Sequence, residues 1–218
     1  MKVTEKVHAL ESTKGNYAYL VLDEEITVID TGMPRQGKAL LKELESLNME
    51  LSDIKHIMLT HHDIDHIGNV ALLEKATGAK VWASKEDIPY IYGEKARHGI
   101  KRILSLFMKP KLPEKINPYP ENGIINNQME IISSPGHTPG HVCILFENVL
   151  FAGDLLRTSP DKIKPMISLM NWNDSIIHES IAKIDKLSFK WICPAHGVPI
   201  ERGNLWEEFL VENKINQE

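Results

Sequence analysis

The sequence has few cysteines and no excess of positive charge, and each shortage excludes a class of protein. Its 218 residues include two cysteines. Both, Cys143 and Cys193, lie in apolar runs without a paired spacing, so we expect reduced core thiols and no disulfide. The formal net charge of -5 excludes a broad basic face, and we therefore expect no nucleic-acid partner.

Long hydrophobic runs are also absent. The N-terminus, Met-Lys-Val-Thr-Glu-Lys-Val-His, has no apolar segment of signal-peptide length, and no later run approaches the length of a membrane span. We therefore expect a cytoplasmic protein with no membrane partner. The hydrophobic content of 42% is sufficient for a full core, and the length is common for one layered α/β domain.

Strand-like and helix-like patterns alternate along the chain. The first succession has strands at 17–22, 26–30, 54–59 and 80–83, with helices at about 37–47 and 68–77. The second has strands at 128–132, 142–146, 149–152 and 190–193, with a helix at about 174–187. We expect a single domain over residues 1–218.

Residues 85–118 interrupt this alternation with four prolines around an apolar helical core. The segment contains eight basic and four acidic residues inside an acidic chain. We interpret it as a helical insertion, either a solvated excursion or a lid beside the active site. In the second case the apolar face of residues 100–108 should turn inward and the lysines outward.

Residues 58–68, Met-Leu-Thr-His-His-Asp-Ile-Asp-His-Ile-Gly, concentrate metal-ligating groups where a strand gives way to a helix. Alternation along an extended backbone points His61, Asp63 and Asp65 one way, and the first helical turn brings His66 round to them. Crowded histidines and carboxylates repel or desolvate each other unless a cation holds them. The motif therefore indicates a metal site.

Three loops after predicted strands supply further ligands. They contain His137 and His141, then Asp154, then His196. The histidines at 8, 56, 98 and 178 lie outside these motifs, and we interpret them as surface or hydrogen-bonded residues. There is no nucleophile elbow, P-loop or dinucleotide fingerprint. The residues thus favour water activated by a bound metal, rather than a serine or cysteine, as the nucleophile.

These motifs resemble, in order and spacing, the five motifs of the metallo-β-lactamase superfamily, in its glyoxalase II and lactonase-like branch. The matching stretches are Asp30-Thr-Gly32, Thr60 to Gly68, Gly136 to His141, Gly153-Asp154 and Ala195-His-Gly197. The resemblance implies an α/β fold, a four-layer αβ/βα sandwich of two packed mixed sheets. It also implies a dinuclear centre of two divalent ions. Zinc is the expected metal, and iron and manganese are the alternatives.

The resemblance also implies a role for each residue. His61 and His137 would bind the first metal, Asp65, His66 and His196 the second, and Asp154 would bridge them. Asp30 would support the site. His141 would lie outside the metal ligands or donate a proton, so the implied catalytic residues are Asp65, Asp154 and His141.

The chain departs from the family pattern at Asp63, where a histidine is usual. Either Asp63 binds the first metal through a carboxylate oxygen, or the neighbouring His62 binds it instead. Backbone alternation favours Asp63, because His62 should face the other way. The flavodiiron branch, which binds iron, has glutamate there, but its flavodoxin domain has no room in this chain. A third carboxylate brings a hydroxide-bridged pair of divalent ions from +1 to zero net charge. Neutral esters or lactones should then be preferred over phosphodiesters, unless the insertion supplies positive charge.

The leading hypothesis is a metal-dependent hydrolase of a small molecule. A metal-bridging hydroxide would cleave an ester, a thioester or a lactone. The alternatives are a non-haem iron oxidoreductase of the persulfide dioxygenase or flavodiiron kind, a phosphodiesterase, and a metal-bound protein without activity. The family name does not by itself indicate β-lactam hydrolysis. Candidate pocket residues, whose patterns are more often core, lie in the insertion and in the 155–173 loop (Leu155, Leu156, Met166, Leu169, Met170, Trp172).

Overall fold

The structure is a computed structural model and describes residues 1–99, 101–103, 108–125 and 128–215. It divides into two compact units, Met1–Tyr119 and Pro120–Glu218. Each unit has its own six-stranded mixed sheet and its own hydrophobic cluster. That the two units form one domain stays a prediction.

The sheet of the first unit follows chain order. Its strands are β1 (Val7–Ala9), β2 (Tyr19–Val21), β3 (Ile26–Ile29), β4 (Ile54–Met58), β5 (Lys80–Ala83) and β6 (Ile116–Pro118). The first three strands pair antiparallel, and β3 to β6 pair parallel. The residues that follow β3, β4 and β5 therefore emerge at the same edge of this sheet.

Among the described residues, four helices with complete bounds accompany this sheet: α1 (Gly37–Glu45), α2 (Ile64–Ile67), α3 (Val70–Thr77) and α4 (Ile88–Ile91). Leu40 and Leu44 of α1 and Val70 and Leu73 of α3 are spaced three or four residues apart, so each pair shares a helix face and enters the core cluster. α3 ends at Gly78, whose left-handed backbone lets its N–H reach the carbonyl oxygen of Glu74.

The sheet of the second unit has the order β14-β13-β10-β9-β8-β7. Its strands are β7 (Ile124–Ile125), β8 (Met129–Ser133), β9 (Val142–Phe146), β10 (Val149–Gly153), β13 (Trp191–Pro194) and β14 (Ile200–Glu201). Among the strands that the structure describes here, β10 and β13 are the one parallel pair. β11 (Leu156–Ser159) and β12 (Lys162–Pro165) form a separate hairpin. The helices are α5 (Asp174–Asp185), which Asn173 caps, and α6 (Gly203–Glu212).

The structure corrects the prediction for residues 85–118. The end of this segment is not an insertion, because Ile116–Pro118 is β6 and pairs with β5. Residues 101–103 are helical, whereas residues 100 and 104–107 of the expected apolar core lie outside the described residues. Contrary to the expected orientation, Lys101 is buried and Ile103 is 58% exposed. The reason is that the Lys101 ammonium group has a carboxylate partner inside the unit.

The predicted 155–173 loop also differs, since it contains the β11–β12 hairpin. In β12 the apolar Ile163 is buried between two exposed lysines, so one face of the hairpin joins the core. Leu155 and Leu156 are core residues rather than pocket residues, and Leu169 is 69% exposed. The helix α6 was not predicted from the sequence.

Both cysteines are free and buried, as predicted. Burial raises the pKa of the Cys143 thiol to about 12 and the pKa of Cys193 well above its ordinary value. In the part of the chain that the structure describes, no helix has the length and apolar character needed to cross a membrane.

Candidate metal centre

The Thr60 to Gly68 motif of the first unit follows β4 at the edge where the parallel strands end. The imidazole rings of His61 and His66 are buried, with centroids 3.9 Å apart. Nε2 of His61 lies 3.5 Å from Oδ2 of Asp63. Nε2 of His66 lies 3.8 Å from Oδ2 of Asp65. α2 carries Asp65 and His66, so the predicted turn of helix is confirmed.

Asp30, directly after β3, determines which nitrogens of these histidines carry protons. Its carboxylate accepts hydrogen bonds from the backbone N–H of Thr60 (2.8 Å), from Thr60 Oγ1 (2.7 Å) and from His66 Nδ1 (2.8 Å). Because an ionised carboxylate only accepts, Nδ1 of His66 holds the proton and Nε2 holds a lone pair. The Thr60 hydroxyl gives its hydrogen to Asp30, so His61 Nδ1, at 3.0 Å, donates to Thr60 Oγ1.

Asp65 has a partner that the sequence did not reveal. Nδ2 of Asn16 donates to Oδ2 of Asp65 at 2.5 Å, across a separation of 49 residues. Asn16 lies in the loop before β2, and no motif or spacing marks it. It fixes the orientation of a carboxylate whose side chain is 23% exposed.

The side chains at positions 62 and 63 have different partners. Nδ1 of His62 lies 2.9 Å from Oδ2 of Asp87, and the ring stacks on Tyr90 with centroids 4.6 Å apart. Oδ2 of Asp63 lies 2.6 Å from Nζ of Lys101. These contacts favour Asp63 over His62 as the residue that faces His61, in agreement with backbone alternation.

Burial shifts the pKa of two titratable groups next to this motif. Burial lowers the pKa of Arg97, and the nearby carboxylates of Asp63 and Asp87 oppose this shift. Burial also raises the pKa of Tyr119 well above its ordinary value, and its hydroxyl donates to the carbonyl oxygen of Leu59. Tyr119 therefore stays neutral and supports the backbone directly before the motif.

The second unit brings together three of the predicted ligands. Asp154 follows β10 and His196 follows its parallel neighbour β13, so both lie at the same sheet edge. Oδ2 of Asp154 lies 3.2 Å from Nε2 of His137 and 3.2 Å from Nε2 of His196. The side chains of His137 and Asp154 are buried, and that of His196 is 29% exposed.

Hydrogen bonds also fix the proton positions in this unit. Nδ1 of His137 donates to Oδ1 of Asn171 at 2.9 Å, which leaves the lone pair on Nε2. Nδ1 of His141 donates to the carbonyl oxygen of Ser134, and its Nε2 accepts the backbone N–H of Asp154 at 3.1 Å. His141 is fully buried with both nitrogens bonded, so its contacts support a structural role beneath Asp154 rather than proton donation. Asn171 was missed because nothing in its sequence context marks it.

Glycines beside two of the histidines allow a close approach of backbones. At Gly197, next to His196, φ is +118°, and a Cβ atom would lie 2.1 Å from the carbonyl oxygen of Thr158. At Gly136, next to His137, φ is +133°, and a Cβ atom would lie 2.3 Å from Cγ1 of Ile177. A larger residue at either position would clash with these neighbours and would also be strained at a positive φ.

The donor sets of both units fit a metal ion. Two ligands at about 2.0–2.2 Å from a tetrahedral ion are about 3.4 Å apart. The nitrogen–oxygen pairs His61–Asp63, His66–Asp65, His137–Asp154 and His196–Asp154 are separated by 3.5, 3.8, 3.2 and 3.2 Å. Nε2 of His61, His66 and His137 carries a lone pair, so it can coordinate a cation together with the facing carboxylate oxygen.

Comparison with known proteins agrees with this geometry. The family model of the metallo-beta-lactamase superfamily matches residues 13–196. A probable metallo-hydrolase of Bacillus subtilis (strain 168), YflN, is 26% identical over 91% of this chain and 86% of its own. A hydroxyacylglutathione hydrolase of Pelagibacter ubique (strain HTCC1062) is 30% identical over 69% of this chain and 55% of its own.

The fold comparison gives the same result. The crystal structure of a metallo-beta-lactamase family protein from Thermus thermophilus has a TM-score of 0.70 at 21% identity, over 98% of this chain and 81% of that one. The predicted α/β class with two mixed sheets and flanking helices is thus confirmed. The chain therefore belongs to the metallo-beta-lactamase superfamily, and it is a metal-dependent hydrolase of that family.

Proposed function

We propose that this protein is a dinuclear metallo-hydrolase that cleaves an ester, a thioester or a lactone in a small-molecule substrate. The observation that carries the proposal is the position of Asp154, whose Oδ2 lies 3.2 Å from Nε2 of two histidines. The family motifs assign these two histidines to different metals. A carboxylate oxygen placed equally close to both suits a bridging ligand.

The proposed ligand assignment follows the motifs residue by residue. The first metal would be held by His61, Asp63 and His137, the second by Asp65, His66 and His196, and Asp154 would serve both. A mixture of imidazole and carboxylate suits zinc, and the number of carboxylates also suits manganese or iron. We propose zinc as the native metal.

Two bound divalent ions would lower the pKa of a shared water and polarise the substrate oxygen. The chain's own groups prepare the ligands for this chemistry. Asp30 and Thr60 keep the Nδ1 protons of His66 and His61 in place, and Asn171 does the same for His137. Asp65 is the most exposed of the three carboxylates, so it is the group best placed to orient a water and take its proton.

Two observations support an ester-like bond in a small molecule as the substrate. Relatives named hydroxyacylglutathione hydrolase are 26–30% identical to this chain, and the compound in their name is a thioester. The net charge of -5 supports a small molecule rather than a nucleic acid as the partner. We also propose a cytoplasmic location, which the two free thiols support.

The proposal is tested by metal analysis combined with a substrate panel. Protein prepared with zinc, manganese or iron should carry close to two ions per chain. It should hydrolyse chromogenic esters, thioesters or lactones faster than β-lactams or phosphodiesters. Asp154→Ala should lose most of the activity and much of the metal, whereas the matched control Asp161→Ala, at an exposed site in the same unit, should lose neither.

Two results would contradict the proposal. Protein that binds no metal under any of the three supplements has no dinuclear centre. Protein that binds iron and consumes oxygen with a persulfide, but hydrolyses nothing in the panel, is an oxidoreductase on the same fold.

A further inference from the structure

Lys101 is a buried lysine directly beside the Thr60 to Gly68 motif. Its Nζ lies 2.6 Å from Oδ2 of Asp63, and the two side chains are 7% and 8% exposed. Burying an ammonium group is costly unless a hydrogen-bonded anion compensates its charge. The close contact with Asp63 supplies that compensation, so the placement of Lys101 is specific rather than incidental.

The same oxygen of Asp63 faces two groups. Oδ2 lies next to Lys101 and 3.5 Å from Nε2 of His61, which is the spacing of two ligands on one ion. A carboxylate oxygen has two lone pairs, so it can accept a hydrogen bond from Lys101 and still bind a metal. A protonated lysine has no lone pair and cannot itself be a ligand. Lys101 therefore influences a metal through its contact with Asp63 rather than as a ligand.

The polypeptide that carries Lys101 also fixes the residues next to Asp63. Asp87 accepts a hydrogen bond from the backbone N–H of His62, and its Oδ2 lies 2.9 Å from the ring Nδ1 of the same residue. Arg97 donates to the carbonyl oxygen of His62 at 2.9 Å. His62 therefore has partners of its own on this segment, whereas Asp63 lies between His61 and Lys101.

The Asp63–Lys101 pair also determines the net charge next to the metal centre. Asp63 stands where the family pattern has a neutral histidine, and on its own it would make the centre less positive by one unit. The ammonium group of Lys101 returns that unit. Together the two side chains carry no net charge, as a neutral imidazole would.

We propose that Lys101 is a positioning residue for the metal centre: by cancelling the charge of Asp63 it makes the Asp63–Lys101 pair the equivalent of the histidine ligand of the family pattern. The proposal rests on the proposed function, because it assumes that Asp63 binds the first metal. It goes beyond it by assigning a role to a residue outside every family motif. The proposal also removes one reason given above for preferring neutral esters or lactones over phosphodiesters. That reason was the lower positive charge of a centre that contains Asp63.

The sign of a change in zinc affinity tests this role. In Lys101→Met the charge of Asp63 is no longer cancelled, so the weaker of the two zinc sites should bind about tenfold more tightly by Coulomb attraction. Lys101→Arg keeps the charge and should bind zinc as the wild type does. Lys38→Met, at an exposed site in the same unit, is the matched control. Affinity is measured by competition with a chromogenic chelator, and stoichiometry by elemental analysis.

A double variant supplies the second readout. Asp63→His alone leaves Lys101 buried without its carboxylate, so both the melting temperature of the metal-free protein and the zinc affinity should fall. Asp63→His combined with Lys101→Met should recover both towards the wild-type values. The recovery is expected because a neutral ligand then stands without a cation, as in the family pattern.

The outcomes separate this inference from the proposed function. Wild-type protein that binds no zinc, manganese or iron refutes both. Wild-type protein that binds two ions, with Lys101→Met binding zinc no more tightly, refutes the role of Lys101 only. A double variant as impaired as Asp63→His also refutes it, because the two residues then do not act as a pair.

Discussion

Replacing Asp30 by asparagine tests whether hydrogen bonds outside the ligand set control the metal site. Asp30 is buried and accepts three hydrogen bonds, of 2.7–2.8 Å, from Thr60 and His66. Its φ of +58° lies in the left-handed region, which asparagine tolerates well, so the substitution changes the chemistry with little added backbone strain. The amide keeps one acceptor oxygen but turns an NH₂ group towards the other donors.

The magnitude follows from these contacts. A hydrogen bond to a charged group contributes about 1.5–3 kcal/mol, and the Thr60 hydroxyl can turn to accept from the amide. We therefore expect the free energy of unfolding of the metal-free protein to fall by about 2–4 kcal/mol. Nδ1 of His66 must become an acceptor, which moves its proton to the nitrogen assigned to the metal. Zinc affinity should fall about 10- to 100-fold.

Urea unfolding of zinc-free protein and competition with a chelator measure the two effects. Asp161→Asn, at an exposed site, is the control and should change neither. Asp30→Asn with a zinc affinity within twofold of the wild type, and a free energy of unfolding within about 0.5 kcal/mol, would refute the role given to Asp30.

Three further predictions use single substitutions or reagents. Asn171→Ala removes the acceptor of the His137 Nδ1 proton, so zinc affinity should fall about tenfold or more in the same competition assay, while an unchanged affinity would contradict the assignment. Gly197→Ala should lower the free energy of unfolding by about 2–5 kcal/mol, because its Cβ meets the Thr158 carbonyl at a positive φ; a urea midpoint equal to the wild type would show that the loop can move. With a pKa of about 12, about one Cys143 side chain in ten thousand is a thiolate at pH 8, and this fraction rises with pH. A thiol reagent at pH 8 should therefore label Cys143 in urea and not in the native protein.

The sequence predicted most of the secondary structure because the apolar patterns there are local. Residues 80–83 and 142–146 are strands with the predicted bounds, and α1 and α5 begin at the predicted residues 37 and 174. The strand at 116–118 was missed because it is three residues long and ends in proline, and only its pairing with β5 identifies it. Short edge strands are specified by tertiary contacts that no local pattern records.

In the candidate site, too, the sequence predicted one group of residues and missed another. The metal-binding residue types stand in recognisable motifs, and the structure places each one after a strand or on α2, as the motifs indicate. The residues that orient them, Asn16 and Asn171, stand 49 and 34 residues from their partners. A single asparagine in a loop has no sequence signal, since its role depends on where the chain folds back.

The departure at position 63 and the buried lysine at position 101 are best understood as one feature. A carboxylate in place of a histidine changes the charge of a metal site, and the motif alone therefore predicted a less positive centre. The structure places an ammonium group on that carboxylate, from a segment that the sequence presented as an insertion with outward lysines. The charge of this site is consequently set by residues 38 positions apart. Substrate preference inferred from the motif alone is then incomplete, because the motif does not include the charge of Lys101.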